Sequence, residues 1–267
     1  MGKAKSKLNR YQNLIKRVLN WKFYILKKVV GFNEDFEFNI RNFGKILVLK
    51  NMLGPFRENF LDDIYFKHIP KSVFNTNQNP VIIDIGANVG FFSLAAFSKY
   101  PKAKIYAFEP HPYCFKVLKN YKQEFKRFDW NIFNQAVSNK NENIFLNTNN
   151  LEGFTTVTSV FKKSKDIKVF AVKAVSFDTF LEENKIDYID FIKLDCEGSE
   201  YEILYALPKE KFKIIKSLCI ETHKGENENQ NLNSLNKYLK NVGYKTEILD
   251  EGNYSGYIWA WKSKNEK

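Results

Sequence analysis

Four short stretches gather the carboxylates, glycines and histidine that could do chemistry. The first, VIIDIGANVGFFS at 81–93, runs from an apolar stretch through a glycine turn into a helical pattern. In an open α/β sheet, ligands bind beyond the carboxyl ends of the strands, and glycine lets backbone approach them closely. Asp84, Gly86, Asn88 and Gly90 are therefore candidates to hold a ligand. Asn88 and Phe91 stand where a GxGxxG dinucleotide fingerprint needs glycine, and the stretch is not a GxxxxGKS/T phosphate loop either. The second, AFEPHP at 107–112, places Glu109 23 residues past Gly86. That is near the ~20-residue spacing at which an acid reaches ribose hydroxyls. Pro110 and Pro112 fix the turn that aims it.

The third stretch, IKLDCEGSEYEIL at 192–204, ends a buried run with Asp195 and Glu197, and Gly198 opens the next helix. Two acids at a strand's carboxyl end are costly unless they serve a ligand, a metal or a proton in transit. Glu200 reads as an acid stabilising the first turn of that helix. The fourth, CIETH at 219–223, carries Glu221 and His223 on one strand parity. They emerge beside Asp195 and Glu197 if the two strands are neighbours. The other histidines, His68 and His111, sit before a proline and inside the Glu109 turn.

These stretches need strands and helices to carry them. Apolar runs at 81–85, 104–108, 130–137, 188–194 and 214–221 read as strands, and helical patterns at 90–99, 112–125, 199–207 and 233–242 separate most of them. A closing strand pair covers 244–249 and 257–261. Strands alternating with helices predict an α/β fold with a mostly parallel sheet covered on both faces. Before this body come a hairpin over 36–40 and 45–50, a short helix at 58–67 and a polar linker at 75–80. Residues 141–175 show β-like runs, and GENENQNLN at 225–233 reads as a mobile loop. The expected organisation is a basic segment at 1–33, the hairpin region at 34–79 and the main domain at 80–267.

The composition, 44% hydrophobic and 27% charged, excludes disordered and fibrous classes. Cys114, Cys196 and Cys219 lack CxxC spacing, so no disulfide framework or zinc site is predicted and a cytoplasmic setting is expected. Charge is uneven: residues 1–33 hold nine basic residues and no acid, leaving +3 of the net +12 for the rest. Leu8, Tyr11, Ile15, Val18, Leu26 and Val29 recur at helical spacing and predict one amphipathic helix over about 7–30. Three readings stand for it: a helix packed on the domain, a helix lying on an anionic membrane surface, or a nucleic-acid contact. Only five of the 42 basic residues are arginine, which weighs against nucleic acid.

Taken in order, DIGANVGFFS at 84–93, FEPHP at 108–112, QAVS at 135–138, VSFDTFL at 175–181, IKLDCEGSEYEIL at 192–204 and IETH at 220–223 resemble the FkbM family of methyltransferases. The resemblance implies a class I, Rossmann-like methyltransferase fold with seven strands, the last antiparallel. It also implies methyl transfer from S-adenosylmethionine to an oxygen, commonly a sugar hydroxyl of a glycan. By position, Asp84, Gly86, Asn88 and Gly90 would cradle the methionine and ribose part of the cofactor. Glu109 would hold the ribose hydroxyls, with Pro110 at the ring edge and Ala136 near the adenine. Asp195, Glu197 and Gly198 would face the methyl group and the acceptor.

A sulfonium is an activated donor, so such an enzyme needs only to align the acceptor and remove its proton. Asp195 and His223 are the candidate bases, with Glu197 or Glu221 orienting base or acceptor. In a second version, Mg²⁺ or Mn²⁺ held by Asp195, Glu197, Glu221 and His223 acidifies the hydroxyl. The competing functions are an RNA methyltransferase, suggested by the charge, and a non-catalytic nucleotide-binding adaptor. The nearly neutral body opposes the first, and four well-placed carboxylates (Asp84, Glu109, Asp195 and Glu197) oppose the second.

Overall fold

The computed structural model describes residues 2–31, 34–74, 79–148, 168–252 and 255–263. Residues 75–78 of the polar linker and 149–167 of the irregular stretch lie outside the described residues. Along the chain run α1 (Gly2–Arg17), α2 (Trp21–Val30), β1 (Phe36–Ile40), β2 (Gly44–Val48) and α3 (Leu53–Phe56). The body follows with β3 (Val81–Ile85), α4 (Phe91–Lys99), β4 (Lys104–Phe108), α5 (Pro112–Glu124) and β5 (Asp129–Phe133). Next come β6 (Ala136–Ser138), β7 (Glu142–Thr148), β8 (Lys168–Ser176), α6 (Phe177–Glu183), β9 (Phe191–Leu194) and α7 (Glu200–Ala206). The last elements are β10 (Ser217–Thr222), α8 (Leu232–Asn241), β11 (Lys245–Gly252) and β12 (Ser255–Trp261).

Strands β3 and β9 are short and buried along nearly their whole length, the composition of parallel strands covered on both faces. They sit at the centre of a seven-stranded sheet ordered β11-β12-β10-β9-β3-β4-β5. Strand β12 alone runs antiparallel, slotted between β10 and β11. The order reverses between β3 and β9, so their carboxyl ends open a crevice where a ligand can enter. This is the class I, Rossmann-like arrangement.

Four expectations differ from the structure. The strand expected over 130–137 is two strands. The Asn134 side chain donates to the carbonyls of Glu109 and Pro110, and beyond it β6 joins a separate three-stranded sheet with β8 and β7. The single helix expected over 7–30 is broken at 18–20. There the Leu19 N–H donates to the Asn39 carbonyl and Asn20 bonds both Asn39 and Glu37, so the β1 hairpin takes backbone that a continuous helix would use. The helix expected at 58–67 is instead a π-helical turn at Arg57–Asp62 followed by a 3-10 turn at Ile64–Phe66. The loop at 225–233 is cross-linked, with the Gln230 side chain accepting from the N–H groups of Glu226 and Asn227.

Helix α1 packs on the π turn. Arg10 forks onto both oxygens of Asp62 at 2.7 Å, and Arg17 reaches the Phe60 carbonyl and Asp63 at 2.9 Å. Asn13 donates to the Leu61 carbonyl. Aromatic rings then carry the head into the body: Phe56 stacks on Phe38 with centroids 4.1 Å apart, on Phe60 at 4.8 Å, and edge-on to Phe91 at 5.6 Å. The hairpin, the π turn and α4 thus share one core. Phe56→Ala should therefore cost about 3–5 kcal/mol. Denaturant unfolding read by tryptophan fluorescence would show it, and the head and body should still unfold in one transition.

Candidate functional site

The crevice is a cavity of about 460 Å³, within the range of small-molecule sites. Its floor is the carboxyl ends of β3, β4, β9 and β10, and its walls include residues from β6, β7 and the π turn. Most of the expected site residues line it: Gly86, Asn88, Glu109, Pro110, Ala136, Asp195, Glu197, Glu221 and His223. Asp84 and Gly90 stand outside. Asp84 is fully buried behind the wall, accepting from Ser93 Oγ at 2.6 Å, and Gly90 packs against Leu118 and Trp130. Gly198 also falls outside, but its N–H anchors Glu200.

The nucleotide-like half is built from two turns. Glu109 follows β4, and its carboxylate accepts the N–H of Asn88 at 2.7 Å on one oxygen and that of His111 at 2.8 Å on the other. Each oxygen keeps a lone pair for a ligand. Burial raises the Glu109 carboxyl to about 7, against the lowering effect of those two N–H groups. Asn88 sits at φ 51°, and its buried Oδ1 has no hydrogen-bond partner among the described residues. Gly86, at φ +79°, has no alternative, because a Cβ there would lie 1.7 Å from the Asp195 carbonyl.

The acidic half is organised by Lys193, which points from β9 into the floor and is 3% exposed. Its ammonium donates to the Gly86 carbonyl and lies 3.2 Å from Asp195 and 3.6 Å from Asp84. Burial alone would lower its pKa, but Asp195 and Asp84 outweigh that and hold it above the ordinary value. Tyr65, from the 3-10 turn, donates its hydroxyl towards Asp195 at 3.1 Å and Glu221 at 3.2 Å. Burial raises Glu221 to about 8, with Asp195 and Glu58 adding repulsion. Glu58, from the π turn, accepts from Tyr257 at 3.0 Å, and its neighbour Asn59 also lines the cavity.

His223 is held between two acids, Glu197 at 3.4 Å on Nε2 and Glu200 at 3.3 Å on Nδ1. Burial would lower its pKa, yet Glu200 and Glu197 raise it to about 9, so it is an imidazolium at neutral pH. Glu197 occupies a left-handed backbone position, φ 53°, and burial raises its carboxyl to about 7. Asp195, Glu197 and His223 bring ligand atoms within 4.8 Å of one another, though a cation there would have to displace the imidazolium proton. Glu221 faces Tyr65 instead.

Residues that the sequence reading missed do much of this positioning. Lys193 carried a signal, a lone lysine inside an apolar strand. Glu200 sits in the first turn of α7 as expected, but it is also fully buried and accepts from the N–H groups of Gly198 and His223 at 2.7 Å each. Tyr65, Glu58 and Asn59 carried no signal, because their segment has no regular period.

Comparison with known proteins places this arrangement. A family model described as the methyltransferase FkbM domain matches residues 84–246, more than half of the chain. The chain belongs to the FkbM methyltransferase family. It is 29% identical over 195 residues to methyltransferase sdnD of Sordaria araneosa, covering 62% of this chain and 73% of that one. A shorter match, 36% over 64 residues, is to the 31-O-demethyl-FK506 methyltransferase FkbM of Streptomyces tacrolimicus, covering 24% of this chain and 23% of that one. The crystal structure of a methyltransferase FkbM from Methylobacillus flagellatus KT superposes with a TM-score of 0.50 at 13% identity. That match covers 73% of this chain and 47% of that one, so the chain spans about half the length of that structure. As a member of the FkbM family, the chain is an enzyme of the methyltransferase class.

Glu200→Gln removes one of the charges that hold His223 protonated. The His223 ring should then titrate well below about 9, resolved by NMR from the other two histidines. His223 contributes stability while its imidazolium persists, and loses it as pH rises through about 9. The variant should therefore be less stable than the parent at neutral pH, and the gap should close at alkaline pH.

Proposed function

We propose that the chain transfers a methyl group from S-adenosylmethionine to a hydroxyl oxygen, with a sugar unit of a glycan or surface polysaccharide as acceptor. The observation that carries the proposal is the surplus of hydrogen-bond acceptors facing the cavity. Glu109, Asp195, Glu197 and Glu221 line it together, four carboxylates in one cavity. A lining of this kind suits a cationic ligand with a vicinal diol and an acceptor rich in hydroxyls. The family membership supports the donor, and the oxygen in the name of the Streptomyces relative supports hydroxyl chemistry.

Glu109 would take the ribose hydroxyls, while Gly86, Asn88 and Asp195 border the methionine end, and Pro110 and Ala136 border the adenine. The donor supplies a methyl group already activated by positive sulfur. The protein's tasks are then to orient the acceptor oxygen and to take its proton. His223 is charged at neutral pH and cannot accept that proton. Glu197, raised to about 7 and facing the cavity, is the better base, and the adjacent imidazolium steadies its ionised form. Asp195, fixed by Lys193 and Tyr65, orients the acceptor hydroxyl.

Calorimetric titration with S-adenosylmethionine tests the donor half: binding should be detectable, and Glu109→Ala should weaken it by tenfold or more, about 1.4 kcal/mol. Affinity should also fall as pH drops below about 7, where Glu109 becomes protonated. Failure of the folded wild-type chain to bind would remove the proposal. With a sugar acceptor in hand, Glu197→Gln should lower kcat by about 10²–10⁴ and leave cofactor binding nearly unchanged. The rate should rise with pH through about 7 as Glu197 ionises. A rising limb at about 9 would assign the base to His223 instead.

A further inference from the structure

Helices α1 and α2 turn an unusual face to solvent. Their inner side is fully engaged: Leu14, Val18 and Tyr24 are buried, and Arg10, Asn13 and Arg17 grip the π turn. Their outer side carries Leu8, Ile15, Leu19, Leu26, Val29 and Val30, which are 46–79% exposed. Amphipathic helices of soluble proteins place such residues inward, so this apolar stripe is left over after the domain has been packed. The two helices present it together, because Lys28 of α2 donates to the hydroxyl of Tyr11 on α1 at 3.1 Å and lies over its ring at 5.3 Å.

The charge borne by the two helices has one sign, and of their lysines Lys27 is paired with Glu34 of the segment that follows. Residues 1–33 contain nine basic residues and no acid, and Lys16, Lys22 and Lys28 are exposed beside the aliphatic side chains. We propose that this outer face docks on a bilayer surface rich in anionic lipid. The leucines, isoleucine and valines enter the headgroup boundary, and the lysines meet lipid phosphates. Exposed aliphatic side chains favour lipid over nucleic acid, since they gain nothing against a phosphate backbone, whereas they gain by leaving water at a membrane. The two arginines of α1 that could fork onto phosphates are instead held by Asp62 and Asp63. No helix among the described residues is long and apolar enough to cross a membrane, so the contact is peripheral.

Docking here bears on the cavity as well. The inner face of α1 holds the π turn through Asp62, and that turn supplies Glu58 and Asn59 to the cavity wall. The membrane face and the acceptor site are thus two sides of one small assembly.

Co-sedimentation of the full chain with vesicles tests the proposal. The protein should pellet with vesicles containing phosphatidylglycerol, much less with phosphatidylcholine alone, and the binding should weaken with salt. Lys16→Gln with Lys22→Gln should reduce binding about twenty-five-fold, each lysine contributing about a fivefold factor. Leu26→Gln with Val29→Gln should reduce it about tenfold or more while S-adenosylmethionine binding stays unchanged, since all four residues lie on the outer face. Absence of binding to anionic vesicles at low salt would overturn the proposal. It would equally be overturned if the aliphatic substitutions left vesicle binding intact, or if RNA displaced the vesicles and was bound through the lysines alone.

Discussion

The ammonium of Lys193 is the buried positive charge between β3 and β9, and the floor of the cavity is arranged around it. From β9 it reaches the Gly86 carbonyl, Asp84 on the neighbouring strand and Asp195 past its own strand end. It thereby ties the first glycine turn to Asp195 and offsets the charges of the buried Asp84 and the half-buried Asp195. Removing one member of such a buried set costs about 3–5 kcal/mol, because an uncompensated charge is left behind. Gly86 repeats the constraint sterically, since the backbone after β9 lies where its side chain would be. Charge and shape fix the same junction between β3 and β9.

Around that junction the protein holds more acid than base, and burial separates the acids into roles. Asp84 is spent on Ser93 and Lys193 and never meets the cavity. Glu109 accepts two backbone N–H groups and keeps its remaining lone pairs towards the cavity. Glu197 and Glu221, raised to about 7 and 8, can change protonation state near neutrality, which is what proton removal from a weakly acidic hydroxyl needs. His223 is the counter-charge of the group, kept protonated by a buried Glu200 whose oxygens also hold the backbone of Gly198 and of His223 itself. A carboxylate that serves three partners in this way is structural chemistry placed directly under a reactive one.

The strand-borne part of the site was legible because parallel strands deliver their motifs to one edge. Asp195, Glu197, Glu221 and His223 come together since β9 and β10 are parallel neighbours in register at Leu194 and Ile220. Glu109 was legible from spacing alone. The break at 18–20 was not, because it depends on hydrogen bonds to a hairpin twenty residues downstream, and local periodicity runs smoothly through it. The burial of Glu200 was not legible, because an acid in a first helical turn has a sufficient local explanation. Tyr65, Glu58 and Asn59 lie in π and 3-10 turns, which leave no repeating pattern, and only the tertiary fold brings them to the cavity.

The π turn has a consequence for how such a cavity can be inherited. A wide turn holds one residue more per loop than an α-helix, so the side chains beyond it are rotated by about 100° relative to a regular helix. Glu58 and Asn59 face the cavity from inside this turn, and Asp62, at its end, is in the grip of α1. Gain or loss of a single residue ahead of Glu58 would bring a different pair of side chains to the cavity wall from a segment that is itself no strand. Part of the wall is thus carried where chain length can change, and the carboxylates at the strand ends are carried where register forbids it.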